Sequence, residues 1–311
     1  MGRRLRCLLA DHLVEVTCRT IQGRFLLRPS SQVNLAIQGT LGRAQRYTDL
    51  LVVCCVFLSN HYHLLVLPFS EQQLASFMQF LNTNLSKQLG RLHDWQGSLF
   101  QRRYQAIPIS HEEEAQVARL RYLLAHGAKE GLVLHPEDWP GVQCVTELTR
   151  GPSQLRGIWH ERTAIWEAEQ RGKSLSAKER ITRETLELSP LPAWESKSAK
   201  ERQERTRELV ADIEKESHER LAETKTSPLG ERAIKSQNPH DRPRVLKRSP
   251  APVAHAATVA SWLAMKIAYR DFVSTYREAA ERWKQGHDAI FPAGCFPPRG
   301  PFLARDGPAW A

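Results

Sequence analysis

The reading turns on Leu50-Leu51-Val52-Val53-Cys54-Cys55-Val56-Phe57-Leu58-Ser59-Asn60-His61-Tyr62-His63-Leu64-Leu65-Val66-Leu67-Pro68. This stretch predicts two apolar strands joined tightly at Ser59-Asn60, hence antiparallel, with Pro68 ending the second. Side chains alternate across a strand, so His61 and His63 share one face and Tyr62 takes the other. A neutral imidazole in a core needs a partner for each ring nitrogen, so packing gives no reason for two of them there. Side by side they make half of a metal site.

Outward from that hairpin, strand and helix patterns alternate. His12 to Leu27 carries β-branched and apolar residues around Gly23 and reads as a strand or a hairpin. Ser30 to Tyr47 reads as a helix with a serine start and Val33, Leu35, Ile37 and Leu41 as its apolar positions. Downstream, Ser70-Glu71-Gln72-Gln73 opens a helix with Leu74, Phe77, Met78, Leu81, Leu85 and Leu89 at helical spacing. Gly97 breaks the pattern, and Leu99 to Ile109 reads as a strand carrying Arg102, Arg103 and Tyr104. Glu112-Glu113-Glu114 places acid in the first turn of a further helix, which runs to about Gly131. The order β-α-ββ-α-β-α predicts an α+β fold: a ferredoxin-like antiparallel sheet with helices packed on it.

On that further helix Tyr122 and His126 lie one turn apart, while Val117, Leu120, Leu124 and Ala128 form a stripe on roughly the opposite side. Tyr122 and His126 are therefore expected to face the histidine pair across a cleft. A phenol is a poor nucleophile while protonated, and a nearby divalent cation favours its anion. The same cation polarises a phosphodiester oxygen, so the set points to attack on a nucleic-acid backbone.

Composition narrows the class. The chain has 311 residues and a net charge of +10, a balance that suits a polyanionic partner such as nucleic acid. Its six cysteines show no CxxC spacing, which fits a reducing cytoplasm. No apolar run approaches the ~18–20 residues that span a bilayer, and the apolar stretch after Arg3, Arg4 and Arg6 is too short for a signal-peptide core. Residues 1–150 are expected to form the catalytic domain. Residues 151–250 read as a charged, helical or partly disordered linker. Residues 251–311 hold a helical pattern from Ala256 to Trp283 and a tail rich in Gly and Pro.

Leu58-Ser59-Asn60-His61-Tyr62-His63-Leu64-Leu65-Val66 closely resembles the HUH motif of single-tyrosine transposases, in particular the REP-associated branch. Gly97-Ser98-Leu99-Phe100-Gln101-Arg102-Arg103-Tyr104 looks like that family's segment before its last sheet strand. Arg121-Tyr122-Leu123-Leu124, with Lys129-Glu130-Gly131-Leu132-Val133, is similar to its tyrosine helix, and Asp138-Trp139-Pro140 has a counterpart after it. Three motifs in order, over roughly residues 10–145, are far more specific than a lone HxH.

The resemblance implies that His61 and His63 bind Mg²⁺ or Mn²⁺ and that Tyr122 attacks single-stranded DNA. The products would be a 5′-phosphotyrosine and a free 3′-hydroxyl, and the implied substrates are hairpin or REP-like sequences handled in the bacterial cytoplasm, at the nucleoid, by a monomer or homodimer. In that family a polar amide one turn after the tyrosine completes the metal site; here the residue is His126, followed by Gly127 where relatives have Asn-Pro. Histidine is softer than an amide oxygen and favours Mn²⁺ or Zn²⁺.

Candidate DNA contacts are Arg102, Arg103, Tyr104, Arg119 and Lys129, the arginines on phosphate and the aromatic ring on a base. Plainer readings exist for each: a core tyrosine at 122, an exposed helix histidine at 126, a solvated edge strand at 102–104. The competing functions are a catalytically silent DNA-hairpin-binding protein and a metal-dependent hydrolase with a purely structural Tyr122.

Overall fold

Each helix flanking the hairpin begins where a serine can cap it. Ser30 accepts a hydrogen bond from the Val33 N–H at 3.2 Å, and Ser70 accepts one from the Gln73 N–H at 3.1 Å. These caps open α1 (Ser31–Thr48) and α2 (Glu71–His93), which alternate with β1 (Val14–Arg19), β2 (Leu51–Leu58), β3 (His61–Leu67) and β4 (Gln105–Pro108). The structure, a computed structural model, describes residues 4–9, 11–245, 252–296 and 298.

The four strands form one antiparallel sheet in the order β2-β3-β1-β4. Strand β3 lies inside it, paired with β2 on one side and β1 on the other, so the residues of the histidine strand are sheet interior. Alternation then sorts its side chains. Tyr62 is fully buried, stacks on Phe57 at 4.7 Å and donates to Asn82 Oδ1 on α2. His61 and His63 point the other way, toward α3 (Glu113–Leu124) and α4 (His126–Lys129).

Several elements are shorter than the sequence suggests. The strand expected over His12 to Leu27 stops at Arg19, because Gln22 (φ 55°) and Gly23 (φ 70°) turn the chain through left-handed conformations. The strand expected over Leu99 to Ile109 is only Gln105–Pro108; Phe100 contributes an isolated bridge to Thr20, and Arg102 and Arg103 lie exposed in the irregular segment between them. The helix expected to reach Gly131 breaks at Ala125 into α3 and α4.

The charge-rich segment after Gly151 folds onto the same body. Val145–Thr149 (α5) leads into β5 (Gln154–His160), α6 (Arg162–Gln170) and β6 (Ile181–Glu187), with β5 and β6 paired as a hairpin. That hairpin packs on α1 so closely that a Cβ on Gly39 would stand 2.2 Å from the Ile158 carbonyl carbon. Next comes α7 (Ala199–Thr224), then α8 (Glu231–Lys235) and α9 (Val259–Lys284). On α7 the buried residues Thr206, Val210, Ile213 and Ser217 fall at helical spacing, the signature of a docked face. Leu155, Leu186, Trp194, Val210 and Ile213 join the core of the sheet domain. Residues 246–251 and 299–311, which include most of the Gly- and Pro-rich tail, lie outside the described residues. Among the described residues no helix is long and apolar enough to cross a membrane.

Candidate active site

His61 opens β3 at the turn, and its neighbour fixes its tautomer. Asn60 Oδ1 accepts from His61 Nδ1–H at 2.6 Å, which leaves Nε2 with its lone pair. His63 is held the same way by Glu15, whose Oε1 accepts from Nδ1–H at 2.7 Å. The strand register brings Glu15 there. Thr17 pairs with His63, so Glu15, two residues along β1, shares its face of the sheet.

His126 completes the cluster from the other layer. It is 2% exposed, its Nε2 lies 2.9 Å from His61 Nε2, and its ring centroid is 4.6 Å from that of His63. The ligand nitrogens of His61, His63 and His126 all lie within 4.8 Å of one another. Burial pushes His126 down to about 3 and His61 well below the usual histidine value, so both are neutral and competent as ligands at physiological pH. His126 Nδ1 is buried with no hydrogen-bond partner among the described residues. Three imidazoles converging in this way can hold a divalent cation, and as a donor set they suit Mn²⁺ or Zn²⁺ better than Mg²⁺.

Tyr122 stands against this cluster, with ring centroids 5.0 Å from His126 and 5.6 Å from His63. The sequence placed Tyr122 and His126 together on one side of a helix across a cleft from the pair. The structure instead packs Tyr122 directly on His63 and His126, which in turn meet His61, and His126 is buried rather than an exposed helix histidine. Arg119 sits over the Tyr122 ring at 4.0 Å and Lys129 at 4.4 Å. Burial raises the phenol, with the Glu15 charge adding to it, while Arg119 acts in the opposite direction.

Glu15 was not foreseen as part of the site, yet it ties the parts together. Its Oε2 lies 2.8 Å from Arg119 and 3.0 Å from His255. The carboxyl is desolvated, but the close approach of His255, the hydrogen bond from His63 and the Arg119 charge outweigh that and hold it far below the usual carboxylate range. The signal was present: Glu15 is a lone acid in the apolar run Leu13-Val14-Glu15-Val16. His255 could not be anticipated, since it arrives from a distant segment through a bridge to Ile109.

Gly127 follows from packing. A Cβ there would come within 3.2 Å of Val133 and 3.4 Å of Trp139, whose indole N–H donates to the Phe57 carbonyl at 2.9 Å. The Asp138-Trp139-Pro140 segment thus seals α4 against β2.

The remaining candidates divide. Arg119 and Lys129 are at Tyr122. Arg102, Arg103 and Tyr104 line a separate groove of about 330 Å³ along edge strand β4, together with Arg4 and Arg6. Tyr104 is 9% exposed there and Arg6 lies 4.5 Å over its ring, so this ring meets a guanidinium where a base was expected.

No family model and no curated protein matches the chain. Among solved structures it is similar to a REP-associated tyrosine transposase bound to a REP hairpin, at 17% identity over 45% of this chain and 81% of that one, with a TM-score of 0.39. It is also similar to a Deinococcus radiodurans protein described as a transposase, at 15% identity over 38% of this chain and 95% of that one, with a TM-score of 0.28. Both likenesses are to transposases.

Proposed function

We propose that this protein is a metal-dependent, single-tyrosine transposase or nickase that opens and rejoins single-stranded DNA. One observation carries the reading: the ligand nitrogens of His61, His63 and His126 lie within 4.8 Å of one another, and the Tyr122 ring packs on two of the three imidazoles. Nothing in ordinary core packing requires three histidines and a tyrosine at one point.

A divalent cation bound there, Mn²⁺ or Mg²⁺, supplies Lewis acidity toward a phosphodiester oxygen. The chain's own groups do the rest. Tyr122 Oη forms a bond to phosphorus as the P–O3′ bond breaks, and the proton lost by the phenol is matched by one gained at the leaving 3′-oxygen. One ester replaces another, so the linkage survives as a 5′-phosphotyrosine and the strand can be resealed to a different 3′-end. Arg119 and Lys129, over the phenol ring, favour its anion against the opposing effect of burial. Asn60 and Glu15 keep His61 and His63 in the tautomer that leaves Nε2 free.

A second stretch of DNA would lie along the groove of Arg102 and Arg103, with Arg4 and Arg6 beside them. Hairpin or REP-like strands are the substrate class that the sequence motifs imply. Residues 1–150 carry this chemistry, and residues 151–245 brace it through α7 and the β5–β6 hairpin.

The test is to incubate the full chain with hairpin-forming single strands and Mn²⁺ or Mg²⁺ and look for a covalent protein–DNA adduct on denaturing gels. The adduct is expected with the natural chain and absent in Tyr122→Phe. Cleavage that survives Tyr122→Phe would make the protein a hydrolase, and binding without cleavage would make it a silent hairpin binder.

A further inference from the structure

A cavity of about 370 Å³ opens beside Tyr122 between two walls. One wall is α3 and α4, presenting Arg119, Arg121, Tyr122 and Lys129; the other is α7, presenting Glu216 and Arg220. The second wall comes from the charged segment that the sequence left without a role. It reaches the cavity because Ile213 and Ser217 are buried on the same face of α7, which leaves Glu216 and Arg220 beside them at the rim of the cavity.

Four of the lining residues are cations and one is a carboxylate. Arg119 is already matched by Glu15. Arg220 donates to the Ala128 and Lys129 carbonyls at 2.6 Å and 3.2 Å, so α7 is fastened to the end of α4 by contacts to neutral acceptors, while its charge also acts on the Glu216 carboxylate. Arg121 makes a 2.5 Å ion pair with Glu216, whose side chain is 64% exposed. An exposed pair of that kind is worth little, so a better anion displaces it readily. A phosphodiester is such an anion, because a guanidinium binds its two free oxygens as it binds a carboxylate.

We propose that α7 completes a phosphate-binding pocket next to Tyr122, in which Arg121 and Arg220 take a backbone phosphate of the single strand and Glu216 occupies Arg121 until that phosphate displaces it. The substrate class rests on the reading of Tyr122 as a DNA-facing nucleophile; the pocket itself rests on the cavity and its charges. Glu216 is then a built-in competitor that lowers affinity for strands too short or too poorly placed to deliver a phosphate there.

The experiment uses the full chain carrying Tyr122→Phe, so that binding is read without covalent capture. Fluorescence anisotropy with a labelled single-stranded oligothymidine is measured across a salt series. Arg121→Gln is expected to weaken binding roughly five- to tenfold and to lower the salt slope by about one. Glu216→Gln is expected to tighten binding by a similar factor, and to change nothing once Arg121→Gln is present. Glu216→Ala repeats the test with a different side chain, and circular dichroism and melting of each variant establish that the fold is kept. Unchanged or weaker binding in both Glu216 variants, or an unchanged salt slope in Arg121→Gln, overturns the proposal. Failure of the tyrosine reading appears separately, as the absence of a Tyr122-dependent adduct in the natural chain; the opposite-signed charge effects decide the pocket whether or not that adduct forms.

Discussion

Glu15 Oε1 lies 2.7 Å from His63 Nδ1, joining strand β1 of the sheet to the strand that carries the histidine pair. The same carboxylate reaches Arg119, which lies over the Tyr122 ring, and His255 from a distant segment of the chain. A single buried acid therefore orients a candidate metal ligand and holds the cation beside the candidate nucleophile.

Glu15→Gln should leave an acceptor for His63 while removing the charge that orients it and that matches Arg119. Outer partners of this kind are worth about ten- to a hundredfold in metal affinity. Calorimetric titration with Mn²⁺ should record a loss of that size, and an undiminished affinity would remove Glu15 from the site.

His126→Gln replaces a buried imidazole by an amide oxygen, a harder ligand. The ratio of Mn²⁺ to Mg²⁺ affinity should fall, with Mg²⁺ binding improving relative to Mn²⁺. Replacing both His61 and His63 with Ala should instead abolish binding of either ion while far-UV circular dichroism stays unchanged. A double variant that still binds would show that the cluster is not the metal site.

Metal binding should also raise the melting temperature of the natural chain, since only the folded state assembles the three imidazoles. At a free ion concentration of a hundred times Kd the gain is about 2.7 kcal/mol, and a chelator should reverse it.

Stability should fall as pH rises through a window set by Glu147. Burial pushes its carboxyl up to about 7, with Cys144 adding to the effect, and its Oε2 has no hydrogen-bond partner among the described residues. Between the unfolded value of about 4.3 and the folded value, the native state keeps a proton that the unfolded chain has released. Glu147→Gln keeps the shape and removes that proton balance. Its melting temperature should match the natural chain below the window and exceed it above. A difference that does not change with pH would rule this out.

Gly39 tests whether the β5–β6 hairpin is part of the folded body. Its would-be Cβ meets backbone atoms of Ile158 at 2.2 Å, and backbone cannot step aside as the end of a long side chain can. Gly39→Ala should cost about 1–3 kcal/mol in urea unfolding and make the hairpin the first site of proteolytic cutting. A neutral substitution would mean that the hairpin is only loosely attached.

The sequence by itself determined the sheet and half the site. Apolar runs of strand length, serine caps and the Ser59-Asn60 turn are local signals, and alternation along a strand places His61 and His63 on one face without any tertiary information. Tyr122 and His126 were legible as a pair because helical spacing is also local. Tertiary structure alone decided that His126 is buried against His61, that Glu15 links His63 to Arg119, and that His255 and α7 reach the site at all. Those partners lie far apart in the chain, and their meeting depends on strand register and on how helices dock, which side-chain periodicity does not encode. The charged segment was legible as helix but not as a docked one, for the same reason: a helix that buries one narrow face reads as solvated when most of its residues are charged, and only its docking on α3, α4 and α5 reveals which few are not.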